Sequence, residues 1–280
     1  MKPAIVDWER LLLEATEKVQ LTVQAGAGRG NRGEVVGVGA SGDKTIVADK
    51  KAEDVLIGAI AKVQGVRVLS EEAGQVGDSK GKLLAIIDPI DGSSNFERGI
   101  PFYCTSVAIA DGSSHQDIFF GIVRNLVSGE AYTATRGKGA RKNGKKIRTS
   151  EISELSKAVA GIDISRASRG TLKGLLPLMG RISRQVHYGA NALELCLMAE
   201  GKTDAFVDLR GRMRTVDFAA AQLIASEAGG VVSSPEGDDL RFSMDLQSRF
   251  SFVASSNKEL HRNILECLGK DKFPRRNSPV

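Results

Sequence analysis

Trp8, Leu11, Leu12, Ala15, Val19 and Val23 fall on one face at helical spacing, which predicts an amphipathic helix over residues 4–25. A second helix is predicted over Asp49–Val63, with Ala52, Val55, Leu56, Ala59, Ile60 and Val63 as its apolar face. Short apolar runs follow at Val66–Leu69, Leu83–Ile87, Thr105–Ala110, Ile118–Val123 and Ala131–Thr135. Glycine and turn residues punctuate them, so each is predicted as a strand. Beyond residue 150, strands are predicted at Ala158–Ile162, Ala205–Leu209, Val231–Val232 and Phe252–Ala254. Helices are predicted at Leu172–Met179, Ala192–Ala199 and Val216–Ala228. A last helix ends at Leu268 and starts with the capping box Ser256-x-x-Glu259. The segment Lys270–Val280 is expected to fray.

Composition narrows the function classes. The chain has 280 residues, is 41% hydrophobic and 26% charged, and carries a formal charge of +5. That is ordinary for a globular protein and too apolar for disorder. The mild basicity is a weak pointer to anionic ligands. Cys104, Cys196 and Cys267 are too scattered for a disulfide framework or a zinc ribbon, and three histidines do not make a histidine-rich metal site. No run approaches the roughly 18 apolar residues of a membrane span. Asp7, Glu9, Arg10 and Glu14 interrupt the N-terminal apolar positions, unlike a signal peptide. The expectation is a cytoplasmic protein with no membrane partner.

Two G-x-G-x-x-G matches, Gly28-Gly30-Gly33 and Gly37-Gly39-Gly42, lie in a glycine-rich stretch. The first follows a predicted helix and the second runs into β-branched residues, so neither has the strand-then-helix context of a dinucleotide site. A mobile loop or hairpin is the expected structure. It would order over the site on ligand binding and bring Asp43 and Lys44 towards it.

The segment Leu83–Phe96 carries more chemistry. An apolar strand delivers Asp88 at its end, Pro89 stops the ladder, and Asp91-Gly92-Ser93-Ser94-Asn95 follow. A neighbouring predicted strand delivers Ser70-Glu71-Glu72 in the same way. Two carboxylates about 4 Å apart repel by roughly 4 kcal/mol at an effective dielectric of 20. A hard divalent cation relieves that cost, and solvated turn acids avoid it.

Asp88-Pro89-Ile90-Asp91-Gly92-Ser93-Ser94-Asn95-Phe96 resembles the D-P-[IL]-D-G-[ST]-x-N-[FY] signature of the inositol monophosphatase family. Ser70-Glu71-Glu72 is similar to its G-E-E element, and Thr45–Asp49 to its T-x-x-D element. Val216-Asp217-Phe218-Ala219-Ala220 with Glu227-Ala228-Gly229-Gly230 resembles its W-D-x-A-A…E-A-G-G element, with Val216 in place of tryptophan. The motifs come in family order. The resemblance implies an α/β (α+β) fold, a layered α-β-α-β-α sandwich of the sugar phosphatase type. It implies Mg²⁺-dependent phosphomonoester hydrolysis with two or three ions per site. Glu71, Asp88, the Ile90 carbonyl, Asp91 and Asp217 are then the metal ligands. Asp49 with Ser93 would activate water near the Glu71 metal, giving Asp49, Glu71 and Ser93 catalytic roles. Gly92, Ser93 and Ser94 would hold the phosphate at a helix N-terminus. Thr215 is the expected N-cap of the Asp217 helix.

Arg210, seven residues before Asp217, matches the archaeal-type enzymes that act on both inositol 1-phosphate and fructose 1,6-bisphosphate. There it would contact the sugar phosphate, with Asn191 and Tyr188 as further substrate contacts. The arginine those enzymes carry three residues before the glycine matching Gly189 is Val186 here. Residues 1–150 would form an α+β half with the metal site, and residues 151–280 an α/β half supplying Asp217 and substrate contacts. A small sugar or inositol phosphate and a second copy of the chain are the expected partners, and nucleic acid is not. The alternatives are a 3′(2′),5′-bisphosphate nucleotidase and a non-catalytic RNA- or protein-binding member of the same fold.

Overall fold

A computed structural model describes residues 6–27, 32–40, 42 and 44–269. Five layers stack in it. Helices α1 (Trp8–Ala27) and α2 (Val47–Ile60) cover one face of an eight-stranded sheet. That sheet contains β3 (Val66–Ser70), β4 (Gly74–Gly77), β5 (Leu83–Asp91), β6 (Cys104–Asp111), β7 (Ile118–Asn125), β8 (Ala131–Thr135), β9 (Ala140–Lys142) and β10 (Lys145–Lys146). Helices α5 (Asn191–Ala199) and α6 (Thr215–Glu227) lie on its other face. A five-stranded sheet follows, made of β11 (Val159–Ile162), β12 (Arg184–Val186), β13 (Ala205–Met213), β14 (Val231–Ser233) and β15 (Phe250–Ser255). Helices α4 (Arg169–Met179) and α7 (Lys258–Leu268) close the stack. The α-β-α-β-α sandwich is the expected fold class.

The large sheet runs in the order β10-β9-β8-β7-β6-β5-β3-β4. Its one parallel pair is β3 with β5, with Ser70 opposite Ile87. That pair matters most, because it places the residues leaving β3 beside those at the end of β5. The middle layer is apolar on nearly every side: α6 buries Val216, Phe218, Ala219, Ala220, Ala221, Leu223, Ile224 and Ala225. Gly121 in β7 lets α6 lie directly on the sheet, since a Cβ there would sit 2.9 Å from the Ala220 carbonyl oxygen.

Several boundaries differ from the sequence expectation. Helix α1 starts at Trp8 because Asp7 caps it, its Oδ1 accepting the Arg10 amide at 3.1 Å. Helix α2 starts two residues early, at Val47. Pro89 does not end β5. The strand runs on to Asp91 through a one-residue bulge between Asp88 and Asp91, where a missing N–H costs no ladder bond. Strand β13 continues past Leu209 to Met213. The cap of α7 is Asn257, whose Oδ1 accepts the Leu260 amide at 2.9 Å, and Ser256 is buried just before it. Thr215 is the first helical residue of α6 and not its cap; its hydroxyl donates to the Ser243 carbonyl at 2.7 Å. The glycine-rich stretch contributes a hairpin, β1 (Val35–Val38) against β2 (Lys44–Ile46). Gly28, Gly30 and Asp43 lie outside the described residues, as does the Lys270–Val280 segment.

Candidate metal and phosphate site

Glu71 follows β3, and its amide donates to the Ile87 carbonyl at 3.3 Å. Asp88 stands next to it on β5. Asp217 comes from the opposite side, in the first turn of α6. One carboxylate oxygen from each of Glu71, Asp88 and Asp217 lies within 4.8 Å of the others, and all three residues are buried. At that distance each ionised pair repels by about 3.5 kcal/mol at an effective dielectric of 20.

Burial dominates the proton affinities here. It pushes Glu71 up to about 7, even though the Arg214 charge pulls the other way. Asp88 is raised well above the usual carboxylate range by burial and then by Glu71. Burial followed by Asp217 takes Asp91 up to about 8. Asp49, on α2, is raised to about 8 by burial and then by Glu72. Both carboxylate oxygens of Asp88 are buried with no hydrogen-bond partner, as is Asp49 Oδ1. Buried carboxylates without donors are costly, and a hard divalent cation is the partner that suits this oxygen-only set. These residues fit such an ion.

Asp91 stands beside the trio. Its Oδ2 accepts the Ala192 amide of α5 at 2.7 Å and faces the Cys104 thiol at 3.6 Å. Ile90 is buried, and its carbonyl accepts the Ser93 hydroxyl at 2.8 Å. Gly92 has φ 91° and caps the short helix α3 (Ser93–Arg98). A Cβ there would lie 3.1 Å from both the Ala190 Cβ and the Phe102 carbonyl oxygen, so both conformation and space require glycine. The first amides of α3, at Ser93 and the exposed Ser94, have no acceptor within the helix. No hydrogen bond joins Ser93 to Asp49; Asp49 Oδ2 instead accepts the Ile46 amide at 3.3 Å. Asn191 opens α5 with its backbone amide turned towards Asp91.

Two arginines set the charge balance. Arg214, just before α6, was not anticipated from the sequence. Its Nε donates to both Asp217 oxygens at 3.1 Å, its Nη2 lies 3.0 Å from Asp217 Oδ1, and its Nη1 pairs with Glu71 Oε1. A signal was available: a basic residue at a helix N-terminus opposes the helix dipole, and spacing of three puts it beside Asp217. Arg210 is read from the sequence as a sugar-phosphate contact. It is instead held in a largely buried cluster, with Nε 2.9 Å from Asp208 Oδ1, and Nη2 2.7 Å from Asp208 Oδ2 and 2.5 Å from Asp163 Oδ2. His187 joins that cluster through Glu194 at 2.9 Å and Asp163 at 3.4 Å. Arg210 also lines a cavity of about 1010 Å³ that it shares with Arg166, Arg212, Arg241 and Arg249. Tyr188 packs its ring against Phe102, with centroids 5.0 Å apart.

Known proteins resemble this chain in sequence and in fold. The family model described as the inositol monophosphatase family matches residues 9–270. A Methanothermobacter thermautotrophicus protein named fructose-1,6-bisphosphatase/inositol-1-monophosphatase is 36% identical, covering 93% of this chain and 96% of its own. A Methanococcus maripaludis protein named bifunctional NADP phosphatase/NAD kinase is 34% identical over 94% of this chain and half of its own length. Among solved structures, that of an inositol monophosphatase–fructose 1,6-bisphosphatase superposes with a TM-score of 0.84 at 30% identity, covering 94% of this chain and all of the other. The chain belongs to the inositol monophosphatase family and is a phosphatase by that membership.

Proposed function

We propose that this phosphatase is a Mg²⁺-dependent phosphomonoesterase acting on sugar and inositol phosphates, with fructose 1,6-bisphosphate and inositol 1-phosphate as substrates. The observation that carries the reading is the convergence of Glu71, Asp88 and Asp217 within 4.8 Å, with Asp88 lacking any protein donor. Glu71, Asp88, the Ile90 carbonyl, Asp91 and Asp217 would hold two or three ions. Bound there, the ions neutralise phosphate charge and make water a better nucleophile.

The chain's own residues supply the rest. Amides at Gly92, Ser93 and Ser94 would hold phosphate oxygens at the start of α3. Asp49, raised to about 8, can take and return a proton near neutral pH. Ser93 fixes the Ile90 carbonyl through its hydroxyl and so steadies the metal-side geometry. Asn191, whose backbone amide faces Asp91, would be a substrate contact. Arg210 lines the arginine-rich cavity, and in this reading it would meet the second phosphate of a bisphosphate. The resemblance adds a homodimer to this reading, and the cytoplasm is the expected location.

Phosphate release tests it directly. Fructose 1,6-bisphosphate, inositol 1-phosphate, a 3′,5′-bisphosphate nucleotide and NADP should be compared in Mg²⁺ and in EDTA. Release from the first two in Mg²⁺ alone is the expected result. Release only from the nucleotides would favour the nucleotidase alternative, and metal-independent release would overturn the metal-centred reading.

A further inference from the structure

Arg214 occupies the carboxylates that the proposed function assigns to the metal. One guanidinium reaches Glu71 at the end of β3 and both oxygens of Asp217 at the start of α6. Asp88, the third member of the trio, receives no such contact. The helix dipole disfavours a long basic side chain at this end of α6, and its pairs with Glu71 and Asp217 offset that cost.

We propose that Arg214 is the internal counter-cation of this site: it holds Glu71 and Asp217 together before a divalent ion binds, and it must release them when the ion arrives. The inference rests on the metal-centred reading above. A carboxylate oxygen engaged head-on by a guanidinium is not available to a second cation along the same direction, and a divalent charge set beside a fixed guanidinium is repelled. The two cations therefore compete. Asp88 offers the incoming ion its first foothold, because its oxygens are unclaimed. Glu71 and Asp217 follow as Arg214 withdraws. Arg214 sits at the junction between β13 and α6, and a long side chain there can leave by rotamer change without moving either element. Glu71 and Asp217 are thus paired with a cation in both states, by arginine in one and by metal in the other. Arg214 is a positioning residue in this scheme and takes no part in the chemistry.

The test measures binding rather than turnover. Mg²⁺ is titrated calorimetrically into the wild type, Arg214→Lys and Arg214→Gln without substrate, and thermal unfolding is recorded for each with and without Mg²⁺. Arg214→Gln should bind Mg²⁺ roughly tenfold to a hundredfold more tightly, since removing the competitor returns charge-assisted bonds to the ion. It should also unfold earlier than the wild type without Mg²⁺ and close that gap with it. Arg214→Lys should fall between the two. A residue needed only for packing would lower the unfolding temperature equally in both conditions and leave affinity unchanged or weaker, which would overturn the proposal. In the wild type, the Arg214 Nε resonance should shift along the same Mg²⁺ titration. Persistence of the Arg214–Glu71 contact at saturating Mg²⁺ overturns the exchange even where a variant fails to fold. If the wild type binds no Mg²⁺ at all, it is the metal-centred reading that fails.

Discussion

The Ala192 amide donates to Asp91 Oδ2 at 2.7 Å. That bond ties the first turn of α5 to the bulged end of β5, so a residue 101 positions along the chain fixes one of the carboxylates beside the trio. The bulge turns Asp91 towards the helix, and the helix N-terminus favours a negative charge there. The acids of the site are therefore held by different means: Asp91 by backbone donors, Glu71 and Asp217 by an arginine, and Asp88 by no protein donor.

Asp88→Asn should abolish Mg²⁺-dependent phosphate release, lowering kcat/KM by at least about a hundredfold. It removes a buried charge with no partner, so the variant should unfold no earlier than the wild type without metal. Activity within a few-fold of wild type, measured by phosphate release, would remove Asp88 from the metal site.

Ser93→Ala should act mainly on kcat, by about a hundredfold, with KM within about threefold. Its hydroxyl holds the Ile90 carbonyl, which the proposed mechanism places against the metal. Steady-state kinetics showing a change confined to KM would make Ser93 a binding residue instead.

Arg210→Ala should cost both stability and specificity. Asp208 is fully buried and Asp163 nearly so, and losing their shared partner leaves buried charge uncompensated. A loss of about 3–5 kcal/mol is expected in urea unfolding. If Arg210 also meets a second phosphate, kcat/KM for fructose 1,6-bisphosphate should fall about tenfold further than for inositol 1-phosphate. Equal losses on both substrates would confine Arg210 to the ion-pair cluster.

His261 gives a pH dependence away from the site. Its ring nitrogens each lie 2.8 Å from a serine hydroxyl, Ser233 and Ser255, and burial lowers its affinity for a proton below that of an ordinary histidine. The unfolded chain therefore takes up this proton first as pH falls. The stabilisation is complete above about pH 6.5 and declines below it until the folded ring also protonates. Urea midpoints at pH 7.5 and 5.5 should drop more for the wild type than for His261→Gln. An equal drop would assign the acid sensitivity to other groups.

The parts of the fold legible in the sequence were those with a strong apolar period. The strand from Leu83, the helix over Val216–Ala228 and the acid turn after Ile87 could be read because burial imposes a repeat on their residues. Strands β4 and β12 could not. Gly74–Gly77 and Arg184–Val186 are short edge strands whose pairing comes from backbone alone, with little apolar signal. Pro89 misled because a proline stops a regular ladder, but the bulge had already removed the bond it would break. In the site, the acids were visible as residue types. The long-range ion pairs were not, because Arg214 reaches Glu71 across 143 positions and Arg210 finds Asp163 on a different strand's exit. Such ion pairs follow from how layers stack, which no local pattern records.

The contact of α6 with Gly121 has a consequence for cation size. Asp217 rides on a helix whose height above the large sheet is set by the absence of one methyl group, while Glu71 and Asp88 belong to that sheet. Raising the helix would widen the gap between the two walls of the site. Mg²⁺ accepts oxygens only at about 2.0–2.1 Å and Ca²⁺ at about 2.3–2.6 Å, so a few tenths of an ångström separate their preferences. Under the proposed Mg²⁺ reading, the spacing of two layers would thereby favour the smaller alkaline-earth ion, through a glycine packed beneath α6.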